Sequence, residues 1–188
     1  MVEKNRKRKR WAGLVTAAAV VATAGLVWFE PWALLADKTV HEALPAANAP
    51  TATPSAGTPA RGPGPSPSSI VPVTVAQGTF ISHEHTTTGT AKVVRLADGT
   101  HTLRLEGLDT SNGPDLHVLL SDAPVEEGPA GWRVFDEGKH VDLAELKGNR
   151  GDQNYPLPAG IDWTKHPSVS IWCDRFDVSF GAAALARV

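Results

Sequence analysis

The sequence predicts an all-β fold: an antiparallel β-sandwich preceded by a single transmembrane helix and a disordered linker. Three observations carry this. An uncharged apolar run, Trp11 to Phe29, follows a basic cluster formed by Lys4, Arg6, Lys7, Arg8, Lys9 and Arg10. A stretch dense in Pro, Ala, Gly, Ser and Thr follows from Pro45 to Pro72. Beyond it, short runs of alternating apolar and polar residues are separated by Gly, Pro and Asn. The expected boundaries are a basic cytoplasmic tip at 1–10, the helix at 11–29, a Pro/Ala-rich linker at 30–72 and the sandwich at 73–188.

As a helix, the apolar run would be roughly 28 Å long, close to the hydrocarbon thickness of a bilayer. Positive charge before it predicts a cytoplasmic N-terminus and an extracytoplasmic C-terminal domain. Trp11 at one end and Trp28, Phe29 and Trp32 at the other stand where interfacial aromatics are expected. Ala22-Thr23-Ala24 offers a small-x-small pattern for signal cleavage. The apolar run continues past that site into aromatics, which favours an uncleaved anchor in the cell membrane. No cysteine lies nearby to carry a lipid. The proline-rich stretch has few large apolar residues to bury, so it is read as a semi-rigid spacer holding the domain off the membrane.

Residues 70–188 carry ten Lys and Arg against sixteen Asp and Glu, a net of −6. That charge argues against nucleic acid as a partner. The expected partners are the lipid bilayer, through the N-terminal helix, and an unidentified redox or envelope protein.

Within the domain, Phe80 and Ile81 open a strand after a break at Gly78. Thr87 to Leu96 and Thr100 to Glu106 flank Asp98-Gly99, a hairpin signal. Asp115 to Ser121 puts Leu116, Val118 and Leu120 on one face, and Val169, Ile171 and Cys173 alternate with Ser170, Trp172 and Asp174. Phe176, Val178 and Phe180 alternate in turn. Only Val141 to Leu146 and Ala182 to Ala186 suggest helix, and both are short.

Cys173 is the only cysteine, so neither an intramolecular disulfide nor Cys-x-x-Cys-His haem attachment is possible. Three readings stay open: a small core hydrophobe, a redox thiol or metal ligand, or an intermolecular cross-link. His83 and His85 have strand spacing that places both on one face, where a third ligand would complete a copper, zinc or iron site. The plainer reading is a solvated strand edge beside Glu84. His101 and His117 fall on inward and outward faces respectively. Asp152 and Asn154, in the loop 147–155, have oxygen atoms suited to calcium, but Arg150 opposes a cation and the spacing is not that of an EF-hand. A structural turn is the better reading. No nucleophile–base–acid spacing, phosphate-binding glycine loop or paired carboxylates can be recognised.

The motifs from Gly78 onward, taken in order, resemble the DM-thirteen (electron-transfer DM) domain family. They are Gly78-Thr79-Phe80; Thr88-Gly89-Thr90-Ala91; the run from Asn112-Gly113-Pro114-Asp115 to Ser121; Leu146-Lys147-Gly148-Asn149; Gly151 to Pro158; and Val169-Ser170-Ile171-Trp172-Cys173-Asp174-Arg175-Phe176, leading to Val178-Ser179-Phe180-Gly181. The resemblance implies a sandwich related in architecture to DOMON domains, with electron transfer centred on the cysteine of the Trp-Cys motif, here Cys173. It implies Asp115 and Trp172 as shaping residues. Arg175, two positions along the strand, is then the candidate electropositive neighbour that would lower the thiol pKa. The Met/His haem ligation of DOMON-like cytochromes is ruled out, because the only methionine is Met1, across the predicted membrane. No cofactor is assigned. The implied role is an electron-transfer domain rather than a turnover enzyme, and the alternative is a non-catalytic envelope binding module with a structural buried cysteine.

Overall fold

A computed structural model describes residues 36–45 and 71–188. The predicted span 11–29 lies outside the described residues, among which no helix is long and apolar enough to cross a membrane. Ten strands follow in order: β1 (Thr39–His41), β2 (Val73–Ser82), β3 (Thr88–Arg95), β4 (His101–Asp109), β5 (Leu116–Ser121), β6 (His140–Glu145), β7 (Arg150–Pro156), β8 (Ser168–Cys173), β9 (Val178–Ala184) and β10 (Ala186–Arg187). Short 3-10 turns at Pro129–Gly131 and Trp163–Lys165 complete the elements.

The strands form one curled sheet in the order β1-β7-β4-β3-β2-β9-β8-β5-β6, with β10 also on β2. β2 joins the two halves. Val73–Thr79 pairs antiparallel with β3, and Phe80–Ser82 pairs with β9. The changeover falls after Gly78, where a Cβ would run into the Ala184 carbonyl, so a side chain there would block the chain that crosses over β2. The strand therefore runs through Gly78 and does not begin after it. Both halves feed one apolar core: Val93, Leu103, Leu105 and Tyr155 from one, Val118, Leu120, Val169 and Ile171 from the other. A fully buried side chain of this size stabilises by about 1.5–3 kcal/mol.

The hairpin at Asp98-Gly99 forms as its sequence predicts. Gly99 takes φ 84°, and Leu96 N–H donates to Thr100 O at 2.8 Å. The two helical expectations are overturned. Val141 to Glu145 lies in β6 and Leu146 just beyond it; the strand's half-buried residues Val141 and Leu143 stand two apart, the period of a strand. Ala182 to Ala186 lies in β9 and β10. Its alanines are small because Ala182 packs beneath Trp172 and Phe135, so packing overrides helix propensity. The 147–155 loop is also corrected: from Arg150 onward it is β7, paired with β4. Phe176 is half exposed in a turn rather than in line with Val178 and Phe180.

Part of the predicted linker is folded. β1 pairs parallel with β7, matching Thr39 to Arg150 and His41 to Asp152. Glu42 clamps its far end, accepting from Lys147 Nζ at 2.8 Å and from Asn154 N–H at 2.7 Å. The Lys147 contact comes first in holding the Glu42 carboxyl below its usual range. Gly151 makes room: its φ is +94°, and a Cβ there would collide with Val40 O. Gly151→Val should therefore cost about 1–3 kcal/mol and strip β1 from the sheet. Hydrogen exchange would read this as lost protection at residues 39–41, with β8 and β9 still protected.

Candidate functional site

β8 is the central strand of the second half-sheet, between β5 and β9, and all six of its residues are buried. Val169, Ile171 and Cys173 enter the sandwich core. Trp172 faces the other way, packed with Leu119, Ala182 and Phe135. The 122–139 segment supplies Phe135 and Ala123 as the cover on that side. Ser170 and Ser179 share a 2.9 Å hydrogen bond on that face, which continues from Ser179 Oγ to His83 Nδ1 at 2.9 Å.

Cys173 ends the strand. Its register partners are Leu116 on β5 and Val178 on β9. Its exposure is 0 %. Burial pushes the thiol pKa up, an effect opposed by the backbone N–H groups of Phe176 and Arg175 and reinforced by the Asp115 charge. The lowered thiol pKa expected beside Arg175 is not found, and the burial matches the reading of Cys173 as a small core hydrophobe. Arg175 is also not placed along the strand. β8 stops at Cys173, and residues 174–177 are an exposed turn in which Asp177 takes φ 49°. Arg175 reaches the sulfur's surroundings through its backbone N–H.

Asp115 sits at the rim. Asp174 N–H donates to its carbonyl at 2.9 Å, pinning the turn to the start of β5. Its carboxylate lies 3.4 Å from His117 Nε2, while His117 Nδ1 lies 2.8 Å from Asp142 on β6. Partial burial alone would lower the His117 pKa, but Asp142 and Asp115 outweigh it and hold the pKa above its usual value. Asp115 also lines a cavity of about 220 Å³ with Asn112, Gly113, Leu146, Lys147 and Lys38. Several of the motif segments, far apart in sequence, meet at this end of the sandwich.

The other polar motif residues are scaffolding. Gln153 is fully buried, donating to Gly148 O at 2.6 Å and accepting from Tyr155 Oη at 2.7 Å. Burial pushes the Tyr155 pKa up to about 12, so the phenol keeps its proton for that bond. Arg104 binds Asp152 and Asn154 across β4 and β7. Asp152 and Asn154 are therefore held by a cation of the protein itself.

His83 and His85 do not share a face, which overturns that expectation. Residues 83–85 form a bend beyond β2, so strand geometry no longer applies. His83 is buried and stacked on Phe135, in the outer cluster, with burial lowering its pKa; His85 lies tilted against Phe180, in the inner one. Among the described residues, no group of three or more His, Cys, Asp or Glu is placed to hold a metal ion. His101 is half-buried beside Trp163, and His117 is on the outward face its parity indicates. Nothing in the sequence marks His117 as special, because Asp142 is 25 residues away and on another strand.

The fold and this site define an all-β sandwich domain with a buried thiol at the end of a central strand. The family model described as Electron transfer DM13 matches residues 79–185, and the chain belongs to that family. No curated protein and no solved structure matches it.

His117 supplies a pH-dependent element of stability. A pKa raised on folding stabilises fully below the unfolded value of about 6.5, and the effect is lost as pH rises through the folded pKa. His117→Gln should therefore cost no more than about 1 kcal/mol, given its partly exposed partners. The difference from wild type should be largest at acid pH and fade above neutrality. Urea unfolding across that pH range measures it.

Proposed function

We propose that the chain is an extracytoplasmic electron-transfer domain tethered to the cell membrane by residues 11–29, with Cys173 as its redox group. The thiol would act as a gated group rather than an exposed one. One observation carries this reading. The thiol belongs to the last residue of β8, where Asp174 N–H donates to Asp115 O and ties the exposed 174–177 turn to the start of β5, and family motifs converge there. A local opening of the turn would uncover the thiol without parting the sheet. In the redox step, the sulfur would give one electron to an oxidised metal centre of a partner protein. Its proton would pass to water admitted by the opening, and the reverse step would restore the thiol. Asp115 and the Asp142–His117 pair border that opening, and Trp172 fixes the strand from the opposite face. The charge of the N-terminal tip supports the inward orientation of residues 1–10.

The second reading is a non-catalytic envelope binding module with a structural cysteine. The complete burial of Cys173 and the raised pKa of its thiol favour it.

Thiol labelling of the folded protein at rising urea concentration separates the two. In the gated reading, labelling is slow but nearly independent of low urea, because a local opening exposes little surface. Cys173→Ser then abolishes electron exchange while leaving the sheet folded, at a cost of about 1–3 kcal/mol for the buried hydroxyl. Labelling that follows global unfolding, with the full urea slope, would dispose of the gated thiol and leave the binding module.

A further inference from the structure

β1 lies outside the family-matched residues 79–185 and N-terminal to the proline-rich stretch. It docks at a definite place. Lys38 N–H donates to Asn149 Oδ1 at 2.7 Å, and Asn149 Nδ2 donates to Asp37 at 2.9 Å. Arg150 pairs with Asp37 at 2.9 Å, and Asn112 Nδ2 donates to Ala36 O at 3.2 Å. Gly148 carries no Cβ where one would strike Lys38 O. The chain thus enters the domain beside Asn112, and Lys38 lines the same cavity as Asp115.

This placement changes what the proline-rich stretch can do. Residues 46–70 run between β1 and β2, so both of their ends are attached to one domain. They cannot set the distance from the membrane while β1 is docked. That distance is set by residues 30–35, six residues that reach at most about 20 Å when fully extended. A spacer made of the whole proline-rich stretch would instead reach on the order of 80 Å as polyproline helix.

We infer that docking of β1 holds the 110–115/146–149 end of the sandwich towards the bilayer, so that the electron partner met there is one seated in the same membrane. The inference rests on the reading of 11–29 as an anchor. The opposite end, with Asp98 and Ala159, is then directed away. β4 crosses the domain between the two ends, and its nine residues span about 25–30 Å. That separation is large enough to measure.

The test uses the full chain in lipid nanodiscs, with a donor dye on Ser111→Cys or Ala159→Cys and acceptor dyes on the lipid headgroups. Both positions are exposed, and the unsubstituted chain gives the background from Cys173. Energy transfer should be several-fold stronger from position 111 than from 159. Doubling the length of 46–70 should leave both values unchanged, while ten residues inserted within 30–35 should weaken transfer from 111. Equal or reversed transfer, or transfer that falls when 46–70 is doubled, would overturn the inference and leave the anchor standing. A chain that does not co-purify with nanodiscs would sink the anchor reading, and the inference with it, before any dye is read.

Discussion

The burial of β8 on both faces constrains everything around it. A strand at the surface of a two-layer sandwich normally shows one face to water, and its sequence alternates accordingly. β8 does not, because the 122–139 segment lays Phe135 and Ala123 over its outer side. Its polar residues must then find partners inside the protein. Ser168 Oγ lies 2.9 Å from Ser121 O and 2.8 Å from Ala123 O, and Ser170 bonds Ser179. The small residues of β9, Gly181 to Ala183, follow from the same crowding: a Cβ at Gly181 would strike Thr87. Cys173 is the last residue of β8 and the exposed 174–177 turn follows it, so the site stands at the end of the strand.

That constraint explains why the site consists of loops rather than a face. The start of β5, the turn after β8 and the β6–β7 connection meet where the strands stop. Leu146 N–H donates to Leu116 O at 2.7 Å, and Asp174 N–H donates to Asp115 O at 2.9 Å, so the three segments are fixed to one another. The buried thiol is kept neutral by its low-dielectric surroundings and by the nearby Asp115 charge. Such a group resists adventitious oxidation in an oxidising compartment, which an exposed thiol of low pKa would not. In the proposed redox role, protection and use conflict at one atom, and a local opening of the turn is the physical means that would reconcile them.

The legible part of the fold was the part where apolar residues recur at every second position, as Leu103 and Leu105 do in β4 and Leu116, Val118 and Leu120 do in β5, all of them in one core. The hairpin between β3 and β4 was legible from Asp98-Gly99. β7 was hidden because its polar residues point into hydrogen-bond networks rather than into water: Gln153 is buried with Gly148 and Tyr155, and Asn154 with Arg104. β9 reads in part as helix because alanine reports only that space is short. Cys173 could be named as the residue of interest from the sequence. Its exposure could not, since that depends on a turn whose apolar Phe176 looks like more strand. His117 was hidden for a different reason, as its meaning comes from carboxylates that only the sheet register brings to it.

Residues 36–45 show the same limit of local reading at the scale of the domain. They carry Asp37, Lys38, His41 and Glu42, whereas residues 46–70 have Arg61 as their one charged residue, but three residues of strand carry no periodicity. What fixes them is complementarity with a distant edge: two glycines that leave room for their carbonyls, Asn149 bonded to both Asp37 and Lys38, and a charge at each end in Arg150 and Lys147. An edge strand left open would be a template for pairing with other chains, and β1 covers that edge of β7. The same contact places the start of the folded domain beside Asn112 and Asp115. For a tethered protein, a short connection confines the site to a thin layer and raises the effective concentration of any partner in that layer. A long connection would spread the same domain through a much larger volume. The position of three β1 residues therefore bears on which partners the site can meet as strongly as the residues that line it.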